Sequence, residues 1–143
     1  MSSDRKRIVI DTSSLVAACL YPARLPAQIF KQAILRYQLV ASPATKYELK
    51  TVLERAKFDR WRTLDERMTW ANLYFGNTQV VIPTEHVADC RDPKDNMFLD
   101  LALAAKASVI VCSDDDLQTL HPYRKEIEIL SLQNFKIKYL DDL

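Results

Sequence analysis

Five short apolar runs rich in β-branched residues, separated by longer stretches of helical period, constrain this chain more than any other feature. They occupy residues 8–10, 38–41, 79–82, 109–112 and 127–130. Alternation of this kind specifies a three-layer α/β/α fold around a central parallel sheet of about five strands. The middle three runs are the least interrupted, which predicts strands buried on both faces. Between the runs, Pro26 opens a helix to about residue 37, and Pro43 opens one to about residue 56. In the latter, Leu49, Val52, Leu53 and Ala56 fall at i, i+3, i+4 and i+7 and form a core stripe. A third helix covers about 64–75. A fourth begins near Asp95 and puts Phe98, Leu101, Ala102 and Ala105 on one face.

The chain has 143 residues, which suits one domain able to bury roughly two thirds of its unfolded surface. Its one glycine, Gly76, excludes glycine-rich phosphate cradles, both the Walker loop and the dinucleotide fingerprint. A net charge of +1 gives no global field toward nucleic acid or membrane, so anion binding needs a local patch or a bound cation. Three scattered cysteines (Cys19, Cys90, Cys112) and two distant histidines offer no zinc spacing and fit a reducing compartment. The N-terminal stretch is charged, and the apolar run after it is broken by Asp11, Pro22 and Pro26. It reads as neither a secretion signal nor a membrane span, and the expected location is the cytoplasm.

Acidic residues stand where the apolar runs stop. Asp11 follows the first run directly, and Asp114 follows the fourth after one serine, with Asp115 and Asp116 behind it. In parallel α/β sheets, ligands bind beyond the carboxyl ends of the strands, where strand order reverses. A helix leaving a strand starts at that edge, so Asp95 and Glu48 belong there too. Each has an ordinary alternative: Asp11, Asp95 and Asp114 as helix caps, Glu48 as a solvated residue beside a core stripe. Together they are harder to explain that way, because like charges crowded in one cleft repel unless a cation holds them. An all-oxygen set without Cys or His points to Mg²⁺ or Mn²⁺.

The segments 9–18, 48–58, 91–102 and 111–117 resemble the four motifs of PIN-domain nucleases, closest to the stand-alone VapC-like toxins of toxin–antitoxin systems. The resemblance spans about residues 8–135 and implies a single PIN-like domain over 1–143 with its core about 8–135. It implies that Asp11, Glu48, Asp95 and Asp114 are catalytic and bind metal, with Asp116 a further ligand and Ser13 supporting the site. The family often has Asn at position 13 and Gly at position 113, where this chain has Ser at both. The implied chemistry is metal-assisted phosphodiester hydrolysis of single-stranded or structured RNA. The implied partners are an RNA substrate and an antitoxin protein.

Residues 46–67 carry seven Lys/Arg against five acids, with Phe58 and Trp61 interleaved. Lys46, Lys50, Arg55 and Lys57 are candidate RNA contacts, with a solvated helical face as the plainer alternative. Met68, Trp70, Leu73, Tyr74 and Phe75 read as core or as a homodimer contact. Two other enzyme or signalling classes also start with a strand ending in Asp. A haloacid-dehalogenase-type phosphatase needs an acid at position 13, which is serine here, and a phosphoacceptor receiver needs an acidic pair at the end of strand one and a late Lys by the site, neither of which is evident. A catalytically silent PIN scaffold that binds RNA or protein would have lost its carboxylates, and all are present.

Overall fold

The computed structural model describes residues 5–143; the first four residues, part of the charged N-terminal stretch, lie outside the described part. Five parallel strands form one sheet in the order β3-β2-β1-β4-β5: β1 Arg7–Ile10, β2 Gln38–Ala41, β3 Thr78–Val80, β4 Val109–Val111 and β5 Glu128–Leu130. Seven α-helices connect or flank them among the described residues. Helices α1 Thr12–Leu20 and α2 Leu25–Arg36 link β1 to β2. Helices α3 Pro43–Leu53 and α4 Leu64–Gly76 link β2 to β3. Helix α5 Asn96–Ala105 leads into β4, α6 Asp115–Gln118 follows it, and α7 Leu132–Tyr139 ends the fold.

Strand alternation sorts the core into two layers. Ile8, Ile10, Leu39, Val109 and Val111 face α1, α2, α3 and the aromatic side of α7, where Phe135 and Leu140 are fully buried. Val9, Val40, Ile110, Cys112 and Ile129 face the opposite way, onto Phe98, Leu101, Ala102 and Ala105 of α5. The predicted face of the fourth helix is therefore the face it buries. All three cysteines are free and buried. No helix among the described residues is long and apolar enough to cross a membrane.

Two expectations about burial fail. The run at 79–82 predicts a strand buried on both faces, yet β3 is an edge strand, and Val80 and Ile82 are 47% and 66% exposed. An apolar run records a strand's propensity, while its place in the sheet depends on the route of the connecting helices. The core stripe of α3 also stops early. Leu49 and Leu53 are fully buried, but Ala56 lies past the helix end in a 3-10 turn, Ala56–Phe58, and is exposed.

The connection between α3 and α4 is held by Arg67, whose side chain is fully buried. Its Nε donates to the Leu53 carbonyl at 2.6 Å, and its guanidinium also donates to the Arg62 carbonyl, to the Arg55 carbonyl at 3.3 Å and to Asp59 at 3.0 Å. Arg62 adds a bond to the Cys19 carbonyl at 3.0 Å, tying the same loop to α1. Sequence reasoning placed Arg67 in a basic, RNA-facing or solvated segment. The structure corrects this, because Arg67 serves as an internal donor for four loop acceptors.

Candidate metal centre

Strand order reverses between β1 and β4. The chain leaves β1 toward β2 on one side, and β4 and β5 are added on the other, which opens a crevice at the carboxyl ends of the two central strands. The last ladder bond there runs from the Asp11 amide to the Val111 carbonyl at 2.9 Å. A cleft of about 400 Å³ at this edge is lined by Asp11, Glu48, Asp92, Asp95 and Asp114, together with Thr12, Ser13, Arg55, Phe58 and Lys94.

Each carboxylate is aimed by local backbone chemistry. Asp11 is 4% exposed and is the N-cap of α1: one oxygen accepts from the Ser14 amide at 3.0 Å, the other from the Ser113 amide at 3.3 Å. Asp114 caps α6 by accepting from the Asp116 amide at 2.6 Å. For both residues the capping role and the cleft-facing role coexist, since the cap is what fixes the carboxylate at the strand end. Glu48 sits one and a half turns into α3 and accepts from the Thr12 hydroxyl of α1, which orients it toward the cleft. Asp95 makes no cap; Asp92 does that work for the 3-10 turn Pro93–Asp95, accepting from the Lys94 amide at 3.1 Å.

Asp92 is the acidic residue that sequence reasoning passed over. The sequence shows only that it stands three residues before Asp95; in the fold it caps the 3-10 turn that carries Asp95, and both residues line the cleft. One oxygen from each of Asp92, Asp114 and Asp116 lies within 4.8 Å of the others. Asp116 also accepts from Arg91, whose Nε is 2.7 Å away. Ser13 lines the cleft and is exposed, while Ser14 contributes its amide to Asp11.

The electrostatics follow from this crowding. Burial pushes the Asp11 carboxyl above its usual range, opposed by hydrogen bonds from Ser14 and Ser113 and reinforced by the Asp114 charge. Burial also pushes Asp95 up, to about 7, with further contributions from its contact with Asp114 and the charges of Asp92 and Asp11. Asp95 Oδ2 is enclosed and has no hydrogen-bond donor; its close neighbour Asp114 is another acceptor. An enclosed carboxylate oxygen without a donor, acted on by the charges of Asp114, Asp92 and Asp11, matches the ligand chemistry of a hard divalent cation.

The linkage gives a prediction with a definite sign. A carboxyl whose folded pKa is raised binds more protons folded than unfolded, so stability must fall as pH rises between the unfolded and folded values. Metal-free protein is therefore expected to lose stability from about pH 4 to about pH 7 through Asp95, with Asp11 acting in the same direction. Thermal melts in chelator across that range check it.

Of the basic candidates, only Arg55 lines the cleft. Lys46 and Lys50 are two residues either side of Glu48, about 200° round the helix, so they point away from it. Lys50 pairs with Glu54 at 2.9 Å, and Lys46 lies over the Phe75 ring at 5.0 Å. Lys57 is exposed, 5.1 Å over the Phe58 ring. Lys94, which was not singled out from the sequence, lines the cleft on the 3-10 turn.

Residues 7–116 match the family model described as PIN domain, and these residues carry every carboxylate just placed. The chain belongs to the PIN-domain family. An uncharacterized protein of Methanocaldococcus jannaschii, MJ1680, is 28% identical over 96% of this chain and 88% of its own length. Two solved structures share the fold at low identity. PAE2754 from Pyrobaculum aerophilum superposes with a TM-score of 0.65 at 15% identity, covering 96% of this chain and 90% of that one. VapBC2 from Rickettsia felis, solved bound to a DNA fragment from its promoter, gives 0.56 at 9%, covering 87% and 98%. The PIN architecture explains why the cleft lies at the carboxyl edge of β1 and β4, with α3 and the 3-10 turn before α5 supplying the remaining carboxylates.

Proposed function

We propose that this PIN domain is a Mg²⁺- or Mn²⁺-dependent endoribonuclease, with Asp11, Glu48, Asp95 and Asp114 holding the cation and Asp116 at the margin of the set. The observation that carries the reading is the convergence of carboxylates from four separate segments on one cleft, one of them with an enclosed, donorless oxygen. A divalent cation bound there supplies Lewis-acid polarisation of a phosphoryl oxygen and a water of lowered pKa. The chain's own residues supply the rest. Asp11 and Asp114, fixed as caps, present oxygens that cannot swing away. Glu48, whose direction is set by the Thr12 hydroxyl, or Asp116 would orient the attacking water and take its proton. Ser13 lines the Asp11 side of the cleft, and Arg55 and Lys94 would provide positive charge for the flanking phosphates. The geometry sets Lys46 and Lys50 on the far side of α3, so Lys50→Ala is expected to leave RNA affinity unchanged. Arg55→Ala should weaken it several-fold and flatten its salt dependence, as measured by fluorescence anisotropy at two salt concentrations.

Isothermal titration with Mn²⁺ tests the metal half of this reading. Wild type should bind and gain roughly 2.7 kcal/mol of stability at a hundredfold excess over the dissociation constant. An unchanged melt in saturating Mn²⁺ would remove the metal site from the account.

The likeness in fold to VapBC2 supports a toxin role restrained by a partner protein. A basic side chain entering among Asp11, Asp95 and Asp114 would satisfy the same charge without Lewis-acid chemistry. Expression of the wild type alone is expected to slow growth, and Asp11→Asn to relieve it. Harmless expression of active enzyme would end the toxin proposal and leave the nuclease proposal standing.

A further inference from the structure

The α3–α4 loop carries more than the two cleft-lining residues Arg55 and Phe58. The Phe58 ring lies 6.2 Å from the Trp61 ring, and Trp61 meets Tyr21 of the α1–α2 connection edge-on at 6.3 Å. Trp61 remains 45% exposed. Cations surround this row of rings: Lys57 lies 5.1 Å over Phe58, Arg60 4.9 Å over Trp61, and Arg24 4.5 Å over Tyr21. The two acids of the loop are already engaged, Glu54 with Lys50 and Asp59 with Arg67. Among the described residues no carboxylate pairs with Arg24, Arg55, Lys57 or Arg60. The buried Arg67 and the Arg62 bond to Cys19 hold the loop in one shape, so the exposed ring is presented on a rigid support.

We infer that Phe58, Trp61 and Tyr21 form a stacking lip for unpaired bases, with Arg24, Arg55, Lys57 and Arg60 taking the phosphates between them. The inference rests on the nuclease reading above and assigns the bases flanking the cut to one surface, the α3–α4 loop with the α1–α2 connection. An exposed tryptophan beside two further rings, with unpaired cations lying over them, suits a flexible polyanion with free π faces, whereas a duplex keeps its bases stacked on each other and offers only its backbone. A basic groove with neutral walls would grip both equally. An acidic peptide could use the cations but would leave the ring faces without a planar partner.

The chain has two tryptophans, and Trp70 is packed against Phe30 at 4.7 Å and Tyr74 at 6.0 Å, so stacking at the lip can be read as quenching of Trp61. The test titrates a ten-nucleotide oligouridylate into Asp11→Asn protein in EDTA, so that binding is measured without cleavage. Quenching is expected, together with affinity about tenfold weaker in Trp61→Leu and largely retained in Trp61→Tyr. A ten-base-pair RNA duplex should bind more weakly and leave the fluorescence unchanged. Equal affinity of Trp61→Leu and its parent for the oligouridylate would overturn the lip, as would equal quenching by the duplex or by polyglutamate. Trp61→Tyr, which keeps an aromatic ring, separates loss of stacking from loss of fold. Mn²⁺-dependent cleavage by wild type alongside Trp61-independent binding would defeat the lip alone. Absent cleavage with Trp61-dependent binding would defeat the nuclease reading alone.

Discussion

Asp95→Asn is expected to abolish RNA cleavage while raising the melting temperature of the metal-free protein. The two effects share one cause. Asp95 is held among Asp11, Asp92 and Asp114 with an enclosed oxygen that no donor satisfies, so its charge destabilises the empty fold. Each like-charge pair at about 4 Å costs on the order of 1 to 4 kcal/mol, depending on local dielectric, and the amide removes that repulsion. The same change removes a cation ligand, which should lower the cleavage rate by a hundredfold or more, beyond the 10–100-fold typical of ligand-supporting residues. Asp95 makes no helix cap, so the substitution leaves local backbone chemistry intact. Asp11→Asn should lose activity similarly, but its gain in stability will be smaller because its two oxygens serve the Ser14 and Ser113 amides. Paired measurements of thermal melts in EDTA and of cleavage in Mn²⁺ check both halves. Asp95→Asn with near-wild-type cleavage, or with a lowered metal-free melting temperature, would contradict the account.

Arg67→Met is expected to cost several kcal/mol of folding stability, at about 1–3 kcal/mol for each buried carbonyl left without its donor. Methionine fills much of the volume but donates nothing, so the carbonyls of Leu53, Arg55 and Arg62 lose their donor together. Lysine at this site would keep the charge without the planar fork that reaches several acceptors. Because the loop carries Arg55 and Phe58 into the cleft, a folded Arg67→Lys protein should also show weakened RNA affinity with unchanged Mn²⁺ affinity. Urea denaturation and metal titration separate these two effects. A loss under 1 kcal/mol in Arg67→Met would show that the loop is held by other contacts.

The fold was legible where burial leaves a local signature. The five runs became the five strands, and the amphipathic stripe of α5 faces the sheet because its 3.6 period has one buried side. Helix α1 gave no such stripe, since most of its length is buried all round: Thr12, Ser14, Leu15, Val16, Ala18, Cys19 and Leu20. The edge position of β3 and the burial of Arg67 were not legible, because both depend on how distant segments pack and not on neighbours in the chain. The acidic cleft was legible for a topological reason: a strand that ends in Asp delivers that Asp to the carboxyl edge whatever the loop does next. Glu48 needed Thr12 from another helix to fix its direction, and Asp92 needed the 3-10 turn that it caps, which a helical reading that began at Asp95 omitted.

Cleavage of an end-labelled single-stranded RNA by purified protein as Mn²⁺ is titrated decides whether this cleft is a metal-dependent nuclease site. Cleavage is expected to be absent in EDTA and to rise with Mn²⁺. It should saturate over the same concentrations that raise the melting temperature, because both report filling of the Asp11, Glu48, Asp95 and Asp114 cleft. Cleavage of equal rate in EDTA, or none at a Mn²⁺ concentration that saturates the melt, would contradict that assignment.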